Sequence, residues 1–171
     1  NGVIFDKALA YLIDNEFSIT VSMDGIPKVN DVQRPMNDGK GSSKLVERTI
    51  RKLSKEKVHF QVRMTITRFN VDQMAEAIEY WASLGVKFIH FEPVSIGKQK
   101  LSSEFLTPDI ETYLKNVRGT LDKAEELGVY VINSAYMNLL TPSEYFCTIT
   151  GDERMLFTPD GSVSACYRVQ S

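Results

Sequence analysis

Strand-like and helix-like segments alternate four times along this chain of 171 residues, at intervals of roughly thirty to forty residues. This alternation is typical of right-handed βαβ units around a parallel sheet. Four units are too few to close an eight-stranded barrel. We therefore predict an α/β chain whose parallel sheet is open, or is completed by strands elsewhere in a longer protein, and we interpret the chain as a fragment.

The first predicted strand begins at Phe17, and the next three cover residues 58–67, 86–92 and 129–132. In these segments hydrophobic residues alternate or β-branched residues dominate. The predicted helices cover residues 4–12, a segment beginning at Ser42 or Ser43, residues 70–84, and a segment ending near residue 127. Asn70 and Asp109 are the expected N-caps of the last two helices. After residue 133 the pattern changes, and residues 154–166 predict a β-hairpin that turns at Pro159-Asp160-Gly161.

Composition limits the partners and the compartment. The formal net charge is −2 and the sequence pI is about 5.8, which gives no electrostatic reason to expect nucleic acid or an anionic membrane as a partner. No run of eighteen apolar residues is present. Two cysteines do not make a disulfide framework. We therefore expect a protein of the cytoplasm with neither a nucleic-acid nor a membrane partner.

Polar residues crowd the end of the first predicted strand and the loop after it, at Ser22, Asp24, Asn30, Asp31 and Arg34. In parallel sheets and barrels, ligands bind at this carboxyl end of the strands. Arginine pairs bidentately with carboxylates, and aspartate pairs with hydroxyls or ammonium groups. Ser22, Asp24 and Arg34 could together bind a ligand that carries a carboxylate, an amine and a ribose. A turn capped by Asp24 beside a surface Arg34 remains an equal alternative.

Two further patterns each leave an alternative open. The Gly39–Gly41 loop ahead of a helix is similar to a phosphate cradle, although its spacing matches neither phosphate-loop fingerprint and a tight turn explains it as well. His90 and Glu92 share one face of the third predicted strand, which allows a pair in a barrel interior.

The two cysteines, Cys147 and Cys166, flank the turn of the predicted hairpin. A hairpin that presents a thiolate beside a turn is a common way to hold zinc or an iron–sulfur cluster. Two thiolates would supply half of such a site. The alternative is a pair of unrelated buried thiols.

Taken in order, these motifs resemble those of radical S-adenosylmethionine (SAM) enzymes with a C-terminal SPASM extension. The matching segments and family motifs are Asn1-Gly2 (TNG), 21–25 (SLDG), 30–34 (HDxxR), 39–42 (GxGS), 65–70 (TVTRxN) and 91–93 (FEP). Cys147, thirteen residues, Gly161, four residues and Cys166 fit the opening of the SPASM pattern. Each motif is short, but their order and spacing make the resemblance strong.

The resemblance implies a partial (β/α)6 barrel, similar to a TIM barrel, in residues 1–140 and the start of a SPASM module in residues 141–171. It implies SAM and [4Fe–4S] clusters as cofactors, with the SAM-binding cluster held by a CxxxCxxC loop. SAM would be cleaved reductively to a 5′-deoxyadenosyl radical that abstracts hydrogen from a peptide or protein substrate, as in sulfatase maturases. Flavodoxin or ferredoxin would supply the electron.

The resemblance also implies roles for individual residues. Ser22 and Arg34 would hold the methionine part of SAM. The residues implied near its ribose and adenine are Asp24, Thr67, Arg68 and Asn70. Cys147 and Cys166 would be the first ligands of an auxiliary cluster.

The sequence also departs from the family pattern. The CxxxCxxC loop, the GGEP-type strand and the later SPASM cysteines are absent, and Asn30 stands where the family usually has histidine. Cys147-Thr-Ile-Thr replaces a common Cys-Gly-Ala-Gly. We therefore expect the activity in the parent protein and not in this fragment. The alternatives are a non-redox barrel domain that binds a phosphorylated metabolite through the Gly39 loop, and a catalytically silent peptide-binding module.

Overall fold

A computed structural model of the chain describes residues 2–95, 102–133, 156–158 and 160–164. The chain forms two compact units, Asn1–Ser134 and Ala135–Ser171. The first contains a parallel sheet in which each strand pairs with the next along the chain. Its strands are β1 (Ile19–Ser22), β2 (Phe60–Ile66), β3 (Phe88–Pro93) and β4 (Tyr130–Ile132).

Helices precede and connect these strands, so the prediction of an α/β fold with a parallel sheet is confirmed. They are α1 (Asp6–Asp14), α2 (Pro27–Gln33), α3 (Ser43–Lys55), α4 (Met74–Ser83) and α5 (Ile110–Glu126), with 3₁₀ turns at Val71–Gln73 and Ser103–Phe105. None of these described helices is long and apolar enough to span a membrane. In the second unit, the short strands β5 (Leu156–Phe157) and β6 (Val163–Ser164) pair antiparallel, as the predicted hairpin requires.

Two details differ from the sequence-based expectation. The segment after β1 was expected to be a loop, but it contains α2, whose first helical residue is Pro27. Proline is suited to this position because its fixed φ is helical and its missing N–H has no helical partner there. The second difference is Asn70, which precedes the 3₁₀ turn at Val71–Gln73 without capping it through its side chain; that side chain points toward the strand ends.

The strands bury one face. Alternate residues such as Val21, Val62 and Ile89 belong to the same hydrophobic core as Ile50 of α3 and Trp81 of α4. Because side chains alternate across a strand, the intervening residues lie on the opposite face. We call this opposite surface the inner face; its residues are Thr20, Ser22, Gln61, Arg63, Thr65, Phe88, His90, Glu92, Tyr130 and Ile132.

Candidate functional site

Asp24, directly after β1, is the centre of a polar cluster at the carboxyl ends of the strands. It is 2% exposed. Its Oδ1 accepts a hydrogen bond from the backbone N–H of Thr65 (2.8 Å), and its Oδ2 accepts from Gln33 Nε2 (2.9 Å) and Arg34 Nε (2.6 Å). A buried carboxylate needs such partners because it has lost its hydration. Asp24 therefore joins β1, β2 and α2.

Arg34 is only partly committed to this cluster. Its Nη2 donates to Thr65 Oγ1 (3.2 Å), in addition to the ion pair between its Nε and Asp24. Among the described residues, these two contacts leave Nη1 without a protein acceptor. The side chain is 34% exposed. One edge of the guanidinium therefore remains available to a ligand, while the other neutralises Asp24.

Asn70 connects the carboxyl ends of β1 and β2 through its side-chain amide. Its side chain is fully buried, and its Oδ1 accepts from the backbone N–H of Thr67 (2.8 Å). Its Nδ2 donates to the carbonyl oxygens of Asp24 and Thr65, each at 2.9 Å. Thr67 Oγ1 in turn donates to Gln33 Oε1 (3.0 Å). The side-chain amide of Asn70 thus binds backbone groups at the ends of β1 and β2.

Asn30 connects the end of β1 to the loop before α3. The backbone N–H of Asp24 donates to Asn30 Oδ1 (3.1 Å), and Asn30 Nδ2 donates to Ser42 Oγ (3.1 Å). Ser42 Oγ donates to the carbonyl oxygen of Arg34 (2.7 Å). Asn30, which departs from the family's usual histidine, therefore serves here as a buried structural link.

The glycine-rich loop is held against Asp31. Oδ1 of Asp31 accepts from the backbone N–H of Ser43 (2.7 Å) and Oδ2 accepts from Ser43 Oγ (2.8 Å), so Asp31 caps α3 from a neighbouring helix. A Cβ on Gly41 would collide with this carboxylate. The close approach explains the glycine and favours the tight-turn interpretation of the loop.

The structure brings together four of the six predicted SAM-contacting residues: Asp24, Arg34, Thr67 and Asn70. Ser22 lies half-buried at the end of β1 on the inner face, in register with Arg63. Arg68 leaves the cluster, because its exposed Nε donates to the carbonyl oxygen of Thr107 (3.2 Å).

The proposed metal ligands, Cys147 and Cys166, lie outside the described residues. Sequence reasoning also missed two members of the cluster, Gln33 and Thr65. The period of two on β2 could have indicated Thr65, which shares a face with Thr67. The contribution of Gln33 could not be inferred, because Gln33 lies in α2 and this helix was not predicted.

The cluster lines a cavity of about 280 Å³ at the carboxyl ends of β1 and β2. Its lining residues are Asp24, Gln33, Arg34, Thr65, Thr67, Val94 and Phe105. This volume is near the lower limit of small-molecule pockets. The cavity, which we call the rim pocket, can therefore hold part of a nucleoside-sized ligand, with the rest lying over the inner face.

A larger cavity of about 320 Å³ lies near the opposite ends of β2 and β3, between Lys57, His59 and Lys87. Its volume alone would favour this second cavity as the ligand site. We favour the rim pocket because, in parallel sheets and barrels, ligands bind at the carboxyl ends of the strands. Of these two cavities, only the rim pocket is lined by the buried, charge-paired cluster.

A second polar group lies beside the rim pocket on β3. His90 Nε2 and Glu92 Oε1 are 3.2 Å apart, so the expected pairing on one face is present. Glu92 is in register with Thr65. Burial raises the pKa of Tyr113; Asn133, which contacts the phenol, opposes this shift, and the charge of Glu92 adds to it. The charge of Glu92 on β3 is therefore felt by Tyr113 of α5.

Comparisons with known proteins find similarity to anaerobic sulfatase-maturating enzymes. No protein-family model matches the chain. It is 26% identical over 122 residues to a cysteine-type anaerobic sulfatase-maturating enzyme of Clostridium perfringens, covering 68% of this chain and 33% of that protein. It is 23% identical over 167 residues to an uncharacterized protein of Methanocaldococcus jannaschii, covering 97% of this chain and 54% of that protein. The chain thus spans about half the length, or less, of these curated relatives.

Solved structures agree on the fold. A native anaerobic sulfatase-maturating enzyme with bound AdoMet superimposes with a TM-score of 0.77 at 21% identity, covering 97% of this chain and 49% of that one. SuiB of Streptococcus suis gives a TM-score of 0.63 at 10% identity, covering 96% and 41%. Both neighbours are radical SAM enzymes. The chain therefore has the fold of part of a radical SAM barrel, and it resembles the radical SAM maturases in sequence as well.

Proposed function

We propose that the rim pocket binds SAM, and that the chain belongs to a radical SAM maturase that abstracts hydrogen from a peptide or protein substrate. The observation that carries the proposal is the Asp24-centred cluster, which lines a cavity at the strand ends. The similarity to maturase structures with bound AdoMet, some of them also with peptides, supports it. Because the chain spans about half the length, or less, of its curated relatives, the activity is proposed for the whole enzyme.

The residues of the cluster have two kinds of role in this proposal. The free edge of Arg34 and the hydroxyl of Ser22 contact the methionine part of SAM. Asp24 and Asn70 are positioning residues, since their side-chain oxygens and nitrogens already bind neighbouring protein groups. Thr67 and Arg68 flank the ribose and adenine, with Arg68 in a position more remote than the sequence indicates.

Iron–sulfur chemistry enters the proposal through residues outside the described ones. When bound, a [4Fe–4S] cluster would supply the electron for reductive cleavage of SAM, after its own reduction by flavodoxin or ferredoxin. Cys147 and Cys166 are proposed as the first ligands of an auxiliary cluster. The cluster that binds SAM needs a CxxxCxxC segment, which these 171 residues do not contain.

The phosphorylated-metabolite alternative gains no support from the glycine-rich loop. The carboxylate of Asp31 lies against Gly41 and places negative charge where a phosphate would have to bind. The peptide-binding alternative does not account for the charge-paired cluster around Asp24.

Replacing Arg34 tests the proposal. We expect Arg34→Gln to weaken SAM binding in the whole enzyme by roughly 1.5–3 kcal/mol, the range for a hydrogen bond to a charged group. Equilibrium dialysis with radiolabelled SAM measures this, at equal iron content. The matched control is Arg118→Gln, an exposed arginine on α5. A change within about 0.5 kcal/mol for both variants would assign Arg34 to structure alone.

A further inference from the structure

The inner face of the sheet is unusually polar for the interior of a barrel. In closed (β/α) barrels this face is filled with layers of valine, isoleucine and leucine. Apart from Ile132 of β4, the corresponding positions at mid-strand and at the carboxyl ends are polar here; they are Ser22, Arg63, Thr65, His90 and Glu92. Such residues do not form a dry core. They form a surface suited to a polar ligand.

Arg63 stands out on this surface because, among the described residues, it has no partner, whereas Gln61 and His90 each have one. Gln61 Nε2 donates to Thr20 Oγ1 (2.9 Å), and His90 contacts Glu92. Within the part of the chain that the structure describes, the exposed guanidinium of Arg63 has neither an ion pair nor a hydrogen bond. It is in register with Ser22 on one side and His90 on the other.

Arg63 lies next to the rim pocket. It precedes Thr65, which lines that pocket, by two residues on the same face of β2, a separation of about 7 Å along the strand. Arg34, the other arginine at the pocket, has Nε and Nη2 bound to Asp24 and Thr65. Among the described residues, the guanidinium of Arg63 therefore has all of its N–H donors available to a ligand beside the pocket.

We propose that Arg63 binds a carboxylate of the molecule that occupies the rim pocket and the inner face. This proposal rests on the proposed function, which supplies two sources of that group: the amino-acid carboxylate of SAM, or a carboxylate of the peptide substrate. Guanidinium and carboxylate match as a bidentate pair. Ser22 and His90, in register on either side, supply further hydrogen-bonding groups.

The first arm of the test uses SAM and 5′-methylthioadenosine, which lacks the amino-acid part. Both are titrated into the whole enzyme and into its Arg63→Gln, Arg63→Lys and Arg118→Gln variants, with binding followed by equilibrium dialysis. If the carboxylate is that of SAM, Arg63→Gln weakens SAM binding by at least about tenfold. Binding of 5′-methylthioadenosine then stays unchanged. Arg63→Lys recovers only part of the loss, because lysine keeps the charge without the fork.

The second arm uses two carboxylate probes, N-acetylaspartate amide for a side chain and N-acetylglycine for a chain terminus, with N-acetylasparagine amide as the neutral control. Chemical shifts of the arginine Nε–H groups of the chain report binding. If the carboxylate is that of a peptide, the matching probe shifts the Arg63 signal saturably and the neutral amide does not. SAM affinity is then the same in Arg63→Gln as in Arg118→Gln.

The two arms separate this proposal from the function on which it rests. Wild-type protein that binds no SAM contradicts the proposed function, while the second arm still decides the role of Arg63. The carboxylate proposal is overturned if Arg63→Gln changes SAM affinity no more than Arg118→Gln does and neither carboxylate probe is preferred to the neutral amide.

Discussion

The rim and the inner face carry similar polar residues but use them differently. At the rim, Asp24, Asn30 and Asn70 are at most 2% exposed and bind one another's backbone and side chains. On the inner face, His90 and Glu92 are 20% and 27% exposed, and Arg63 is exposed. Buried polar groups need every partner, whereas exposed ones do not. The rim residues therefore hold the strand ends in place, which leaves Arg34, Ser22 and the inner face as the proposed ligand contacts.

Removing the carboxylate at the centre of the rim should have the largest effect. Asp24→Ala removes the acceptor of Arg34 Nε and of the backbone N–H of Thr65. Gln33 Nε2 loses one of its two acceptors and keeps the carbonyl oxygen of Thr65. We expect a loss of about 3–5 kcal/mol in the free energy of unfolding, as for breaking a buried ion pair. Urea denaturation followed by circular dichroism measures it.

The matched control is Asp38→Ala, which removes an exposed carboxylate paired with Lys40 in the nearby loop. It should leave stability unchanged within error. Equal, small losses in the two variants would mean that the rim network is not structural.

The glycine loop should come next. Gly41→Ala forces the Asp31 carboxylate away from Ser43, and we expect it to cost about 1–3 kcal/mol, the usual range for overpacking. Gly119→Ala is the same substitution in α5 at a position where a Cβ meets nothing. It should stabilise by about 0.5–1 kcal/mol, because alanine favours the helix. Thermal melts of the two variants that move in the same direction would contradict this contrast.

A contact between α3 and α4, remote from both regions, should have a smaller effect. Tyr80 donates to Glu47 Oε2 (2.7 Å), so Tyr80→Phe should cost about 1 kcal/mol. Burial raises the pKa of Tyr80, and its bond to the charged Glu47 adds to this, so the phenol remains a donor at and above neutral pH.

This contact also predicts a dependence on pH. The bond from Tyr80, and next that from Arg51, lower the pKa of Glu47 below its ordinary value of 4.5. A depressed carboxyl pKa contributes stability that is present above the unfolded value and is lost as the pH falls through the folded value. The stability difference between wild type and Tyr80→Phe should therefore be constant above pH 4.5 and shrink below it. A difference that grows on acidification would contradict the assignment.

The inner face should show the smallest change in stability. His90→Gln removes the partly exposed pair with Glu92. We expect the free energy of unfolding to fall by no more than about 0.5 kcal/mol. Denaturant titration of this variant beside Asp24→Ala compares the two regions directly. A loss comparable to that of the rim variant would mean that the inner face is part of the structural core.

The sequence predicts the sheet well because its strands are long alternating or β-branched segments separated by amphipathic helices. It does not predict α2, because a seven-residue helix that begins with a proline carries little periodicity. Nor does it predict the network, since the partners of Gln33 and Asn70 come from strands distant in sequence. Amide side chains can cap, turn or bridge, and only the packed strands select among these uses. The roles predicted for Cys147 and Cys166 remain predictions.

The central claim is that the rim pocket of this chain binds SAM. The most direct test is an NMR titration of the isotope-labelled chain with SAM, following assigned backbone amides. We predict saturable shifts at the residues of the rim pocket, above all Arg34, Thr65 and Thr67, and none near Lys57, His59 and Lys87 at the opposite end of the sheet. Shifts confined to that opposite end, or no saturable shifts while SAM binds elsewhere in the whole enzyme, would contradict the claim.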